Sequence, residues 1–262
     1  MTRDPAREGR VVLALGRRAL SVQFRRAQLL MPTFVLPLML LAVIASGTSA
    51  ARGLREFPDV ASYLGFVVPG TIIQGALLAG LTSGTALAGD IEGGFFDRLL
   101  AAPVNRTSLV LGRLAGTLGL ALLQSTLFLA IAWIFGARYP GGAGAVLATI
   151  ALAAITAVAI GGVASAIALR TGSLSLMQSI FPFVFVLLFM APAFFPRELL
   201  VPVLRDAAVY NPLTYVVEAV RGLLQAEPAL GDPLAGVVAA VGLALATVAL
   251  ATLALKDRLR RL

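Results

Sequence analysis

Six stretches of the chain run without a charged side chain for longer than a helix needs to cross a hydrocarbon core: Ala27 to Ala51, Val60 to Gly89, Leu114 to Ala137, Tyr139 to Leu169, Thr171 to Pro196 and Pro233 to Leu255. About 20 helical residues suffice for one crossing. Lipid offers no partner to an unpaired backbone amide or carbonyl, so each stretch is expected to be helical, and the alternation that a membrane β-barrel requires is absent. The expected fold is an all-α membrane protein of six transmembrane helices. It forms a single transmembrane domain over 1–262, divided into an interfacial segment 1–26, a six-span core 27–255 and a tail 256–262.

The charges that remain give the chain a sidedness. With both termini cytoplasmic, that side holds fifteen basic residues (Arg3, Arg7, Arg10, Arg17, Arg18, Arg25, Arg26, Arg98, Arg106, Arg113, Arg170, Lys256, Arg258, Arg260 and Arg261) against six outside (Arg52, Arg55, Arg138, Arg197, Arg205 and Arg221). This obeys the positive-inside rule. A net charge of +8 would point to nucleic acid in a soluble protein, but at 59% hydrophobic and 13% charged residues the chain belongs in a bilayer,. No nucleic-acid partner is expected. Lys256 is the only lysine, which reflects base composition of the genome rather than an arginine-specific function. The first long apolar run begins near Ala27 and is too long for a signal-peptide core, so the first span is expected to be retained. The expected location is a bacterial cytoplasmic (inner) membrane, multi-pass.

The first 26 residues carry seven arginines, with Val11, Leu15, Ala19 and Val22 on one helical stripe that Arg18 interrupts. This pattern predicts an amphipathic helix lying on an anionic leaflet, with a loosely ordered basic tail as the other reading.

Much chemistry is excluded. The chain has no Cys and no His, which removes thiolate chemistry, the commonest metal ligand and the commonest general base,. No metal site is expected, and an intramembrane enzyme is only a remote alternative because no nucleophile and base pair is evident. A phosphate-cradling GxxxxGK[ST] loop is absent, so the chain is not expected to be an enzyme that hydrolyses ATP itself. Every acidic residue falls outside the centres of the six stretches, which argues against ion-coupled transport,. Energy is therefore expected from a partner.

Two connections are long enough to carry function: residues 88–107 between spans two and three, and 197–232 between spans five and six. The first reads Gly89-Asp-Ile-Glu-Gly-Gly-Phe-Phe-Asp-Arg-Leu-Leu-Ala-Ala-Pro-Val-Asn-Arg106 and runs on to Gly112-Arg113. Glu92 and Asp97 suit the start of a short helix, Phe95, Phe96, Leu99 and Leu100 give it an apolar edge, and Pro103 stops it. Such a helix fits a groove in a soluble partner or, equally, the protein's own inner surface. The second contains Tyr210-Asn211-Pro212-Leu213-Thr214-Tyr215, then Glu218 and Arg221-Gly222-Leu223. Glu218 and Arg221, three apart, are expected to pair on one helix face. In span two, Gln74, Thr82 and Ser83 are candidate pathway residues among small residues that otherwise serve helix packing. Phe181 and Phe185 of span five are the corresponding apolar candidates.

An acidic residue, small residues, Arg-Leu-Leu, Pro-Val-x-Arg and a Gly-Arg opening the next span, followed by the Asn-Pro-Leu-Thr-Tyr run, resemble the signature of type-2 ABC transporter permeases. Within that family the chain is most similar to the daunorubicin/doxorubicin-resistance drug exporters. The resemblance implies two copies of the chain, two copies of a separate ATPase subunit that binds ATP and Mg, and no cofactor on this chain. It implies a coupling helix contacting the ATPase through Asp90, Glu92, Asp97, Arg98, Leu99, Leu100, Pro103 and Arg106, with Arg170 near a secondary contact. It also implies short external re-entrant helices before the last span, carrying Asn211, Pro212, Tyr215, Glu218 and Arg221. The expected activity is ATP-driven outward movement of a hydrophobic or amphiphilic drug or lipid-like compound. The alternative is export of a lipid-linked polysaccharide or teichoic acid.

Overall fold

A computed structural model describes residues 5–25, 27–47, 60–100 and 105–260. The elements are α1 (Pro5–Arg25), α2 (Ala27–Gly47), α3 (Tyr63–Glu92), α4 (Phe95–Leu100), α5 (Arg106–Ile134), α6 (Gly142–Thr171), α7 (Leu174–Phe189), α8 (Pro202–Tyr210), α9 (Pro212–Gln225) and α10 (Pro233–Leu259), with 3₁₀ turns at Arg197–Leu199 and Pro228–Leu230. Among the described residues there is no strand.

By length and composition four helices are candidate spans, namely α3, α5, α6 and α10, and α1 with α2 would make a fifth if that pair, bent by 71°, were one span. Six spans are expected from the sequence, and four or five are shown by this criterion. The main reason lies between Thr171 and Pro196. Thr171 is the last residue of α6, Gly172 ends that helix at φ 64, and Ser173 starts α7 by accepting from the Leu176 amide. α7 then covers only 16 residues before the chain breaks into turns around Pro192. At about 1.5 Å per residue, α7 is about 24 Å long, short of a hydrocarbon core.

The bundle is organised around α3, which is enclosed along nearly its whole length. Ser62 caps it: one hydroxyl accepts from the Gly65 amide and from the Arg138 amide, both at 3.0 Å, fixing the start of α3 against the α5–α6 connection,. Small residues let α3 and α6 approach to backbone contact. A methyl placed on Gly80 would lie 2.8 Å from both the Ala157 carbonyl oxygen and the Gly161 nitrogen. Such close approach is the main source of cohesion between helices in lipid, where apolar burial supplies little.

The 197–232 connection contains the short helices α8 and α9, and α9 is sunk into the bundle with ten buried residues, Val217 and Val220 among them. Large apolar side chains such as Met39 on α2, Leu123 on α5, Phe183 on α7 and Leu245 on α10 remain exposed. In water such faces would drive aggregation; in hydrocarbon they are what the solvent requires. Polar contacts gather at two ends. One end, here the basic end, brings together the last turn of α3, α4, the α6–α7 turn and the last turn of α10. The far end holds Ser62, Arg138, Arg197 and Glu218.

Candidate functional site

At the basic end, Asp90 closes a polar junction between three helices. Its carboxylate accepts from Arg113 of α5, and Arg18 of α1 lies 4.0 Å away. The Arg18 guanidinium also stacks 3.8 Å from the ring centroid of Phe95 in α4,. Further along α1, Glu8 accepts from the Asn105 amide at 2.9 Å, while the other end of the Asn105 side chain caps α5 by accepting from the Thr107 amide. Asp90 is thus engaged within its own chain, by Arg113 and Arg18.

α1 is helical, and its apolar stripe is turned inward. Leu15 sits on Gly112 and Ala19 on Gly116, where an added methyl would come within 2.7 Å of the Ala19 Cβ. The stripe is used for packing on α5, and the exposed face instead carries Arg10, Leu13, Arg17, Phe24 and Arg25. Arg18, which breaks the stripe in sequence, does so because it reaches Asp90 and Phe95.

The expected helix start at Glu92 is also corrected. α3 continues through Glu92, the chain turns at Gly93 and Gly94, where Gly94 has φ 65, and the six-residue α4 begins only at Phe95. A side chain at Gly94 would be strained, so the turn depends on glycine. The Glu92 carboxylate accepts from the Leu174 amide at 2.7 Å. Within α4, Phe96 is buried, Leu99 and Leu100 are half-buried, and Arg98 is exposed with its Nε donating to the Gly94 carbonyl at 3.3 Å. Phe96 therefore anchors α4 on its own chain while Arg98 and the flanks of both leucines stay accessible. Arg170 is exposed and lies 3.8 Å from Asp257. Pro103 and the side chains of Asp97 and Arg106 lie outside the described residues.

At the far end the Asn211 motif is a joint. Asn211 ends α8 and caps α9, accepting from the Leu213 amide at 3.0 Å, and its own amide donates to the Leu187 carbonyl of α7 at 2.7 Å. Pro212 occupies the first position of α9, where its missing N–H is harmless,. The Tyr215 hydroxyl donates to the Val209 carbonyl at 2.9 Å and staples α9 to α8.

The expected Glu218–Arg221 pair does not form. Glu218 instead accepts from Arg197 at 3.0 Å. Burial pushes the Glu218 carboxyl above the usual carboxylate range, against the pull of Arg197 and then Arg221. Arg221 is buried, donating to the carbonyls of Phe66 (3.3 Å), Pro192 (2.8 Å) and Ala193 (3.0 Å), with its guanidinium 4.1 Å from the Phe66 ring centroid. Three apart on one face, the two side chains diverge because the Pro192 and Ala193 carbonyls on one side and Arg197 on the other bind them more fully. Arg197, Glu218, Arg221 and Phe66 line a cavity of about 400 Å³.

Of the pathway candidates, Gln74 is buried between α3 and α7, beside Leu78, Val184 and Phe185, and its amide makes no hydrogen bond. Ser83 is likewise buried with a free hydroxyl, whereas Thr82 donates to the Leu78 carbonyl at 2.7 Å. Phe181, Phe185, Phe189 and Phe194 form a ladder of rings with successive centroids 5.3, 6.5 and 5.9 Å apart.

The sequence profile described as ABC-2 type transporter matches residues 10–224. The chain is 29% identical to a transport permease of Porphyra purpurea, ycf38, over 210 residues, covering 79% of this chain and 72% of that protein. It is also 29% identical over 202 residues to the ycf38 transport permease of Pyropia yezoensis, covering 76% and 69%.

Proposed function

Because the chain belongs to the ABC-2 type transporter family, we propose that it is the permease subunit of an ATP-driven exporter whose hydrolysis is carried out by a separate ATPase. The observation that carries this reading is α4: a short helix on a two-glycine turn, anchored by Phe96, with Arg98 exposed and Leu99 and Leu100 partly so. A helix so mounted offers a charged and apolar edge to a soluble groove while its attachment transmits force to α3. The basic residues flanking this end favour a cytoplasmic orientation. Counting α2 and α7 with the four longer helices gives six crossings, provided that the turns after Phe189 complete the fifth. Two copies of the chain with two ATPase subunits form the working unit, with ATP and Mg held by the ATPases.

Outward movement of an amphiphilic, drug-like or lipid-like cargo, the class handled by the daunorubicin-resistance exporters, fits the ring ladder on α7 and the absence of acidic residues from the span centres. The test is ATP hydrolysis by the ABC ATPase that co-purifies with the full chain, assayed alone and co-reconstituted. Stimulation is expected with the native chain and is expected to fall by roughly tenfold in Arg98→Ala, the loss expected when a charged contact is removed. Equal stimulation by native and Arg98→Ala chains would remove Arg98 from the interface, and no association at all would sink the proposal.

A further inference from the structure

Glu92 closes α3, the wrong end for an acid in that helix, because the C-terminal carbonyls already present negative charge,. Its position is explained by α7. The carboxylate lies at the positive N-terminus of α7 and accepts the Leu174 amide, one of the donors that a helix leaves unpaired in its first turn,.

Three further observations give that contact a mechanical meaning. Glu92 immediately precedes the Gly93–Gly94 turn on which α4 is mounted, so any displacement of α4 acts first on this residue. α7 is lightly held, since only Met177, Val184 and Leu188 along it are buried, and Pro182 interrupts its ladder of backbone bonds,. Its polar attachments to distant elements are at the two extremities: Glu92 at one, and the Asn211 amide on the Leu187 carbonyl at the other. A helix with few buried apolar contacts, held by polar tethers, is the element of a bundle that moves most readily. α7 also presents Phe185 to the unpaired amide of Gln74.

From this we propose that Glu92 is a positioning residue which transmits movement of α4 to α7, and through α7 to the surroundings of Gln74, instead of docking on the ATPase. The inference rests on α4 being the ATPase docking element. A double-mutant cycle separates the two. Leu174→Pro removes the donor while preserving the helix, because proline is favoured at the first helical position and Ser173 before it is already extended at φ −104, ψ 117,. Leu174→Ala controls for the lost side chain.

In reconstituted complexes, Glu92→Ala and Leu174→Pro are each expected to lower permease-stimulated ATP hydrolysis by roughly tenfold, the loss expected of one charge-assisted hydrogen bond. The double variant is expected to be no worse than either, and Glu92→Gln, which keeps an acceptor oxygen, to retain most of the stimulation. ATPase association is expected to stay unchanged throughout. Weakened association in Glu92→Ala but not in Leu174→Pro would make Glu92 a docking contact and overturn the relay. So would additive losses.

A readout that needs no ATPase uses the natural absence of cysteine. Spin labels introduced through Gly89→Cys and Ser179→Cys in the full chain are expected to give a distance distribution that broadens in Glu92→Ala and Leu174→Pro, and not in Leu174→Ala. An unchanged distribution would show that Glu92 does not hold α7. Failure of the native chain to bind the ATPase would overturn the docking reading, and the relay with it.

Discussion

Replacing Arg221 by methionine is expected to lower the thermal midpoint of the detergent-solubilised protein by roughly 6–12 °C, measured as loss of the monodisperse peak on size-exclusion chromatography. The argument turns on what the guanidinium leaves behind. Phe66 lies within α3 and keeps a helical donor, but Pro192 and Ala193 lie in the turn beyond α7, where no helical amide follows to satisfy them. A buried carbonyl left without a donor costs about 1–3 kcal/mol, so two of them together with the lost ring contact cost about 3 kcal/mol. A chain of this size loses roughly 2–4 °C for each kcal/mol.

An apolar replacement does relieve the burial of a charge, and in well-packed cores that gain can offset the loss. Here it does not, because the acceptors belong to an irregular backbone that cannot repack into a helix. Arg221→Lys is expected to recover little, since a single ammonium on a flexible stem cannot reach acceptors on α3 and on the turn at once. A midpoint within about 2 °C of the native protein for Arg221→Met would mean that water supplies those carbonyls.

The division between what the sequence reveals and what it hides follows the range of the interactions. Uncharged length marks α3, α5, α6 and α10 because a bilayer imposes it residue by residue. The caps of α9 and α7 are legible for the same local reason: Asn211-Pro212 and Ser173 act on amides only two or three residues away. α7 itself is not legible as a short helix. Gly172, which ends α6, is one glycine among many, and nothing local distinguishes it from the glycines of the α3–α6 seam.

The site residues divide in the same way. Asp90, Glu92, Glu218 and Arg221 stand out in the sequence, but their partners lie 23, 82, 21 and up to 155 positions away. A three-residue spacing made Glu218 and Arg221 natural partners only while Arg197 and the Pro192 carbonyl were out of view. One signal did exist. Arg18 spoils an otherwise apolar stripe on α1, and a charge in that place implies an acceptor on a neighbouring helix, which is Asp90 of α3.

The glycines offer the sharpest internal comparison, because two of them five residues apart on α3 are expected to respond in opposite directions. A methyl added at Gly84 would collide with the Ala164 side chain and lie 2.7 Å from the Ala164 carbonyl carbon, whereas at Gly89 it would meet nothing within 4 Å. Gly84→Val is therefore expected to abolish the monodisperse peak, since a branched side chain must push α6 off α3 along the seam that also contains Gly80. Overpacking of this kind costs about 1–3 kcal/mol where neighbours can yield, and more where the obstacle is backbone. Gly89→Ala is expected to raise the midpoint slightly, through about 0.4–1 kcal/mol of unfolded-state entropy. Ala164→Gly should rescue Gly84→Ala in part only, because it removes the opposing methyl and leaves the backbone in place. A monodisperse Gly84→Val chain with a native midpoint would show that the two helices are not locked. If they are locked, α3 and α6 move as one body, and movement imposed through α4 has to appear in the helices held less closely, of which α7 is the foremost.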